Sequence, residues 1–245
     1  MKSKFLLINK PKGWTSHDVI ALLRSKLRSN SQKPTVHSQQ KLRVGHAGTL
    51  DPFATGLLIV GVGREATRRL DEFKKMPKTY EAILELGATS DTQDSTGKIL
   101  RFAQNDKINN QDDIQKPAKK EIKKVLKNFL GGQEQIPPMF SAKKINGKKL
   151  YDLARQGKEI KRKPVEIEIY KIKLLKYQWP YLKIQVKCSA GTYIRTLAHD
   201  IGQKLGVGAY CKELKRTRIG KFKLNQSINA LNIKDFNTID KSKIL

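Results

Sequence analysis

Leu57-Leu58-Ile59-Val60-Gly61-Val62 is a continuous apolar run, and it follows directly on a stretch dense in backbone punctuation. A run of that kind suits a strand buried inside a sheet. Before it, Arg43 to Gly56 packs three glycines (Gly45, Gly48, Gly56) and Pro52 into 14 residues, which marks a shaped loop. A reactive side chain on a loop held by a rigid strand is a common arrangement. Asp51 is the only carboxylate between Asp18 and Glu65, so the loop singles it out. On these residues alone, the favoured reading is that Asp51-Pro52 closes a turn through side-chain to backbone hydrogen bonds, and His46 reads as an ordinary loop residue.

The remaining patterning mixes two periods. Phe5–Ile8 reads as a short buried strand, and Tyr80, Ala82, Leu84 and Leu86 share a face at period two, which starts a strand at Tyr80. Thr15 with Asp18 three residues on resembles a capping box, and Val19, Ile20, Leu23 and Leu27 line one helical face behind it. Pro117 is expected to open a helix carrying Ile122, Val125, Leu126, Phe129 and Leu130, with Gly131 as its stop. Val165–Leu175 and Tyr181–Cys188 read as two strands turning at Trp179-Pro180. A further amphipathic helix carries Ile194, Leu197, Ala198, Ile201 and Leu205, and a short one is expected around Ser227–Leu231. Residues 29–42 and 101–117 are polar and expected to be a loop and an insertion, and Thr89 to Gly97 a turn-rich loop. There is no repeat and no βαβ rhythm, so the fold class is α+β.

Charge then narrows the partner. The 245 residues hold 50 Lys+Arg against 22 Asp+Glu, a formal net charge of +28. Surplus charge of one sign repels itself in a compact state, so a polyanionic partner is expected. The surplus concentrates in 143–163, with nine basic and two acidic residues, and in 204–223, with seven and one. Two such clusters read as a phosphate-tracking surface, which reports affinity and salt dependence but no base readout. Two cysteines without a C-x-x-C pair argue against a disulfide framework and point to a reducing cytoplasm. The N-terminal apolar stretch Phe5–Ile8 is only four residues where a signal peptide needs about 7–15. The longest uncharged apolar stretch, Pro52 to Gly63, is 12 where a membrane span needs ~20, so neither secretion nor insertion is expected. Walker A, dinucleotide-binding and H-E-x-x-H motifs are all missing, and the four histidines lack metal-ligand spacing.

Five segments in order bring a resemblance. Arg43 to Gly56 resembles the signature loop of the TruB family, the bacterial tRNA pseudouridine-55 synthases. Asn9-Lys10-Pro11-Lys12-Gly13-Trp14-Thr15-Ser16 resembles that family's N-terminal motif, and Lys78-Thr79-Tyr80-Glu81 with Thr89 to Asp94 its second. Gln135 to Ala142 followed by Gly147 to Gly157 resembles a third, Cys188 to Leu197 a fourth, and Leu214-Lys215-Arg216-Thr217-Arg218 a fifth. The resemblance implies a pseudouridine synthase fold, a mixed and largely antiparallel sheet flanked by helices. It implies a catalytic domain over 1–223; the short tail over 224–245 departs from the family pattern, and the family's C-terminal RNA-binding domain is expected to be missing or vestigial.

The roles it implies are these. Asp51 corresponds to the nucleophilic aspartate, Arg195 to the basic residue that pairs with it, and Tyr80 to the tyrosine packing on the flipped uracil, also a candidate for assisting proton removal at C5. His46 corresponds to the histidine that fills the space the nucleotide leaves, and Tyr193 and Leu214 to substrate-pocket residues. Lys143, Lys148, Lys149, Arg155, Lys215 and Arg216 are expected along the RNA backbone. The chemistry fits such a set. Turning uridine into pseudouridine breaks C1′–N1 and makes C1′–C5 with no net redox change or hydrolysis, so it requires neither cofactor nor metal. It requires a carboxylate to stabilise a cationic C1′ or to add to C6, and a base taken out of its stack. The expected protein is a cytoplasmic monomer that isomerises uridine 55 in the T-arm of tRNA, away from membranes. Two alternatives stand beside it: a guide-RNA-dependent, dyskerin-like synthase, and a non-catalytic tRNA-binding or folding protein.

Overall fold

The computed structural model describes residues 4–29, 43–101, 115–141, 144–145, 147–158 and 160–234. The expected 29–42 loop and 101–117 insertion lie almost wholly outside these residues. Two units share the chain, one formed by Met1–Lys78 with Lys215–Leu245, the other by Thr79–Leu214.

In the first unit the chain runs β1 (Lys4–Lys10), α1 (Ser16–Ser29), β2 (Val44–Ala47), β3 (Thr55–Val62), α2 (Arg64–Arg68) and α3 (Leu70–Lys75). The second unit takes up the chain within β4 (Lys78–Leu86) and continues through β5 (Ala88–Ser90), β6 (Ile99–Arg101) and α4 (Lys119–Lys127). Then come β7 (Gly131–Gln135), β8 (Lys144–Ile145), β9 (Lys148–Lys149), α5 (Leu150–Arg155), β10 (Val165–Gln178), β11 (Tyr181–Cys188) and α6 (Ile194–Lys204). Strand β12 (Ala209–Ile219) returns the chain to the first unit, which ends with β13 (Phe222–Lys223) and β14 (Ile228–Asn229).

The apolar run is the centre of the first unit. Strand β3 pairs antiparallel with β1 over Gly56 to Val62 and parallel with Lys215 and Arg216 of β12, where Arg216 opposes Gly56. Successive side chains of a strand point to opposite faces, so the run divides. Leu58, Val60 and Val62 join Leu6 and Ile8 beneath Val19, Ile20, Leu23 and Leu27 of α1. Leu57 and Ile59 join Phe5 and Leu7 against Ala66, Leu70 and Phe73 of α2 and α3. Each such side chain stabilises the fold by about 1.5–3 kcal/mol on burial. Helix α1 begins as its sequence requires: the Thr15 N–H donates to Asp18 Oδ2 at 2.7 Å and the Asp18 N–H to Thr15 Oγ1 at 3.1 Å.

In the second unit the strand order is β12-β4-β11-β10-β7. Leu182, Ile184 and Val186 of β11 are buried, as are Ile122, Val125 and Leu126 of α4 and Ile194, Leu197 and Ile201 of α6. Several elements depart from the sequence expectation. Strand β4 starts at Lys78 rather than Tyr80. Helix α4 stops at Lys127, which leaves Leu130 47% exposed instead of on its apolar face. Around 227–231 the chain forms β14 between two 3-10 turns, Leu224–Gln226 and Ala230–Asn232, in place of a helix.

Candidate active site

Four backbone anchors hold the loop that carries Asp51, all within the first unit. Ser16 grips Leu50 twice, its hydroxyl donating to the Leu50 carbonyl at 3.2 Å and accepting from the Leu50 N–H at 2.9 Å. The Pro52 carbonyl accepts from the Gly13 N–H at 2.8 Å and from Lys10 Nζ at 3.4 Å. Asp51 therefore sits between two residues whose backbones are fastened to the segment 10–16. Behind the loop, Arg216 is 1% exposed and its guanidinium donates to the carbonyls of Leu57 (2.8 Å) and Gly48 (2.9 Å). Gly56 makes that approach possible. Its φ is +107°, and a Cβ there would press on the Arg216 backbone. Arg216, expected on the RNA backbone, is thus a buried brace for the Asp51 loop.

Lys10 is a cation held in this arrangement, within electrostatic reach of Asp51. Its ammonium donates to the carbonyls of Pro11 (2.9 Å) and Trp14 (2.6 Å) besides Pro52. Burial pushes its pKa down to about 8, Asp51 and Asp18 pull it up, and Arg216 pushes it down. Lys10, Gly13 and Ser16 carry no expected role in the sequence reading, although the motif 9–16 was the signal that could have found them.

His46 lies on β2, paired opposite Val60 of β3, rather than on a free loop. Its ring stands edge-on to His17 at 5.6 Å between centroids, and its Nδ1 is buried with no hydrogen-bond partner among the described residues. Burial, then the neighbouring His17, Arg216 and Lys74, lower its pKa to about 4. The ring is therefore neutral at physiological pH, the state suited to stacking. The unfolded chain binds a proton at His46 below its ordinary value of 6.5, and the folded chain does so only near 4. Stability contributed there is present above pH 6.5 and falls as pH drops through the window toward 4. Urea unfolding across that window should show a shallower fall for His46→Phe than for the wild type; parallel curves would contradict the neutral histidine.

In the second unit, Arg195 and Asp94 form an ion pair at 3.1 Å with both side chains 4% exposed. The guanidinium also donates to the Thr92 carbonyl at 3.0 Å and the Phe140 carbonyl at 2.6 Å. Asp94 accepts from Thr92 Oγ1 (2.8 Å), the Thr96 N–H (2.9 Å) and Thr96 Oγ1 (2.5 Å). Arg195 is in the first turn of α6, whose N-cap is Tyr193. Gln135 fixes that cap from both sides: Oε1 accepts from the Tyr193 N–H at 2.8 Å, and Nε2 donates to its carbonyl at 3.0 Å. Tyr80 is on β4 and half-buried, and Leu214 on β12 is buried. Gln135 and Asp94 were legible only as members of motifs, without a partner. Asp51 and Arg195, expected to pair, belong to different units.

Of the residues expected along RNA, Lys215 is exposed on β12. Lys148 and Lys149 form β9 and Arg155 ends α5, while Lys143 lies outside the described residues. Among the described residues no group of three or more His, Cys, Asp and Glu could hold a metal ion, and no helix is long and apolar enough to cross a membrane.

Comparison with known proteins gives the class first. Residues 33–194 match the N-terminal domain model of the TruB family pseudouridylate synthases, and residues 195–243 match a tRNA pseudouridylate synthase B C-terminal domain. The second match begins within the expected catalytic domain and runs through the expected tail. Among curated relatives, a tRNA pseudouridine synthase B of Protochlamydia amoebophila is 44% identical over 239 residues, 98% of this chain and 82% of the relative. Another from Parabacteroides distasonis is 44% identical over 233 residues, 95% of this chain and 92% of the relative. The chain belongs to the TruB family of pseudouridylate synthases. Among solved structures, a Cbf5-Nop10-Gar1 complex contains a chain that superposes with TM-score 0.69 at 27% identity, over 99% of this chain and 59% of that one. An H/ACA RNP bound to a substrate RNA containing 2′-deoxyuridine gives TM-score 0.65 at 26% identity, over 98% and 58%. The α+β expectation and the expected sheet flanked by helices hold.

Proposed function

We propose that this chain isomerises uridine to pseudouridine in tRNA, at position 55 in the T-loop, with Asp51 as the essential carboxylate. The observation that carries the reading is the Asp51 loop itself, with the backbones of Leu50 and Pro52 held by Ser16, Gly13 and Lys10, and those of Gly48 and Leu57 held by Arg216. A carboxylate that must meet a short-lived cationic C1′, or add to C6, works best when its position is set before substrate arrives. Family membership and relatives named tRNA pseudouridine synthase B support the substrate.

In this reading the target nucleotide leaves its stack, at a cost of about a few kcal/mol. The neutral His46 ring fills the gap and Tyr80 packs on the extruded uracil. Asp51 assists cleavage of C1′–N1; the base turns, C1′–C5 forms, C5 loses its proton and N1 takes one up, so the reaction is balanced as an isomerisation. Arg195 acts in the same reaction, and Tyr193 and Leu214 line the base. Purified protein incubated with unmodified tRNA transcript should form pseudouridine at position 55, read by chemical mapping, and a transcript with cytidine there should stay unmodified. Product only after a guide RNA is added would establish the guide-dependent alternative. Binding without product would establish the binding-protein alternative.

A further inference from the structure

The hairpin of β10 and β11 places like charges directly against each other. In its register Lys171 opposes Lys187 and Lys176 opposes Lys183. Residues directly opposite in an antiparallel pair share a face, and like charges there are destabilising. That face is the outer one, because the alternate residues Leu182, Ile184, Val186 and Cys188 are buried. Lys171, Lys173, Lys176 and Lys187 are exposed, and none has a carboxylate at ion-pair distance among the described residues. Nearby acids are engaged otherwise: Glu81 with Lys183 at 3.4 Å, Glu85 with Lys212 at 2.5 Å, and Glu168 with the Tyr170 hydroxyl. Aromatic rings are interleaved with the lysines. Tyr170 is 46% exposed with Lys187 Nζ 5.7 Å from its centroid, and Tyr181 is 42% exposed with Lys212 Nζ at 4.4 Å.

Guarding an open strand edge is the plain alternative. Strand β7 covers β10 only over Val165–Ile169, and lysines on an open edge discourage unwanted pairing. That accounts for Lys171, Lys173 and Lys176. It does not account for Lys187, because β11 lies between β10 and β4 and has no open edge, whereas Lys183 on the same strand is held by Glu81.

We propose that the outer face of the β10–β11 hairpin is a further binding surface for the RNA phosphate backbone, separate in sequence from the cluster at 143–163 and meeting the cluster at 204–223 at Lys212, with Tyr170 and Tyr181 as stacking positions. It rests on the RNA substrate proposed above. Closely set cations without acidic partners attract phosphates through released counterions, and exposed rings beside them accept unpaired bases.

The test uses the full-length chain with Lys171→Gln and Lys187→Gln combined, and with both changed to Glu. Anisotropy titrations with unmodified tRNA transcript across a range of salt give the slope of log affinity against log salt. Losing two phosphate contacts should flatten that slope by about 1.4–1.8, which corresponds to about 25- to 60-fold weaker binding at ~0.1 M salt and little difference near ~1 M. Thermal midpoints should be unchanged or higher for the Gln variant, since it relieves the opposed charges, which excludes unfolding as the cause. An unchanged slope overturns the proposal and leaves edge protection, or capture of an acidic protein, as the function of the lysines. Pseudouridine mapping on the same wild-type sample separates the two readings. A flattened slope without product sinks the synthase reading and keeps this surface, whereas product with an unchanged slope does the reverse.

Discussion

Asp51→Asn is expected to abolish pseudouridine formation, by at least about 10³-fold, the scale on which a single group aimed at developing charge acts in a prepared site. Binding of tRNA should stay close to wild type and keep its salt slope, because an aspartate contributes no attraction to phosphates. The fold should survive, since the loop is fixed through backbone groups of Gly48, Leu50, Pro52 and Leu57 and not through residue 51 alone. One side effect is expected. Asp51 raises the pKa of buried Lys10, so the neutral amide should let that pKa fall below about 8. Single-turnover assays beside binding titrations check this, and retention of substantial turnover would remove Asp51 from the chemistry.

Arg195→Ala should fail in two ways at once. The substitution leaves Asp94 buried and without its ionic partner, and breaking a buried pair from one side typically destabilises by about 3–5 kcal/mol. It also frees the carbonyls of Thr92 and Phe140, which tie the 92–96 turn and the segment at 140 to the start of α6. Lysine is a poor substitute, because a point charge cannot serve three acceptors arranged for a planar fork. Arg195→Met combined with Asp94→Leu separates the roles. Replacing both ions by apolar side chains of similar volume should return most of the stability in urea unfolding. Turnover should remain lost if Arg195 takes part in the reaction. A stable double variant with wild-type turnover would reduce Arg195 to a scaffold residue.

Legibility from sequence followed how locally each feature is determined. Helix α1 and strand β3 were readable because the capping pair Thr15/Asp18 and the run from Leu57 carry their own signals. Strand β7, Gly-Gly-Gln-Glu-Gln, was missed because it has no apolar period; it is a strand because β10 supplies its partners. Strand β2, Val-Gly-His-Ala, was hidden by the glycines around it and is fixed by pairing with β3. Strand β12 was hidden by its own charges, which drew attention to Lys215 and Arg216 as phosphate contacts. At the site, the motifs located Asp51 and Arg195 but not what surrounds them. Arg216 meets Gly48 across 168 positions and Arg195 meets Asp94 across 101, and no spacing rule reaches that far. The positive φ of Gly56 and the buried guanidinium that depends on it likewise exist only once β3 and β12 lie side by side.

The brace from Arg216 also sets an order of events during synthesis. Residues 10–16 leave the ribosome before the Asp51 loop, but Arg216 follows some 165 positions after that loop, beyond the whole of the second unit. A nascent chain can make the contacts of Ser16, Gly13 and Lys10 early, while the carbonyls of Gly48 and Leu57 must wait for β12. Domains generally form as units in the order they are translated, and here the unit bearing the aspartate is interrupted by another that can form first. Full anchoring of the Asp51 loop is therefore a late step in the life of the chain, and incomplete chains that end before residue 216 carry the aspartate without the guanidinium that holds its loop.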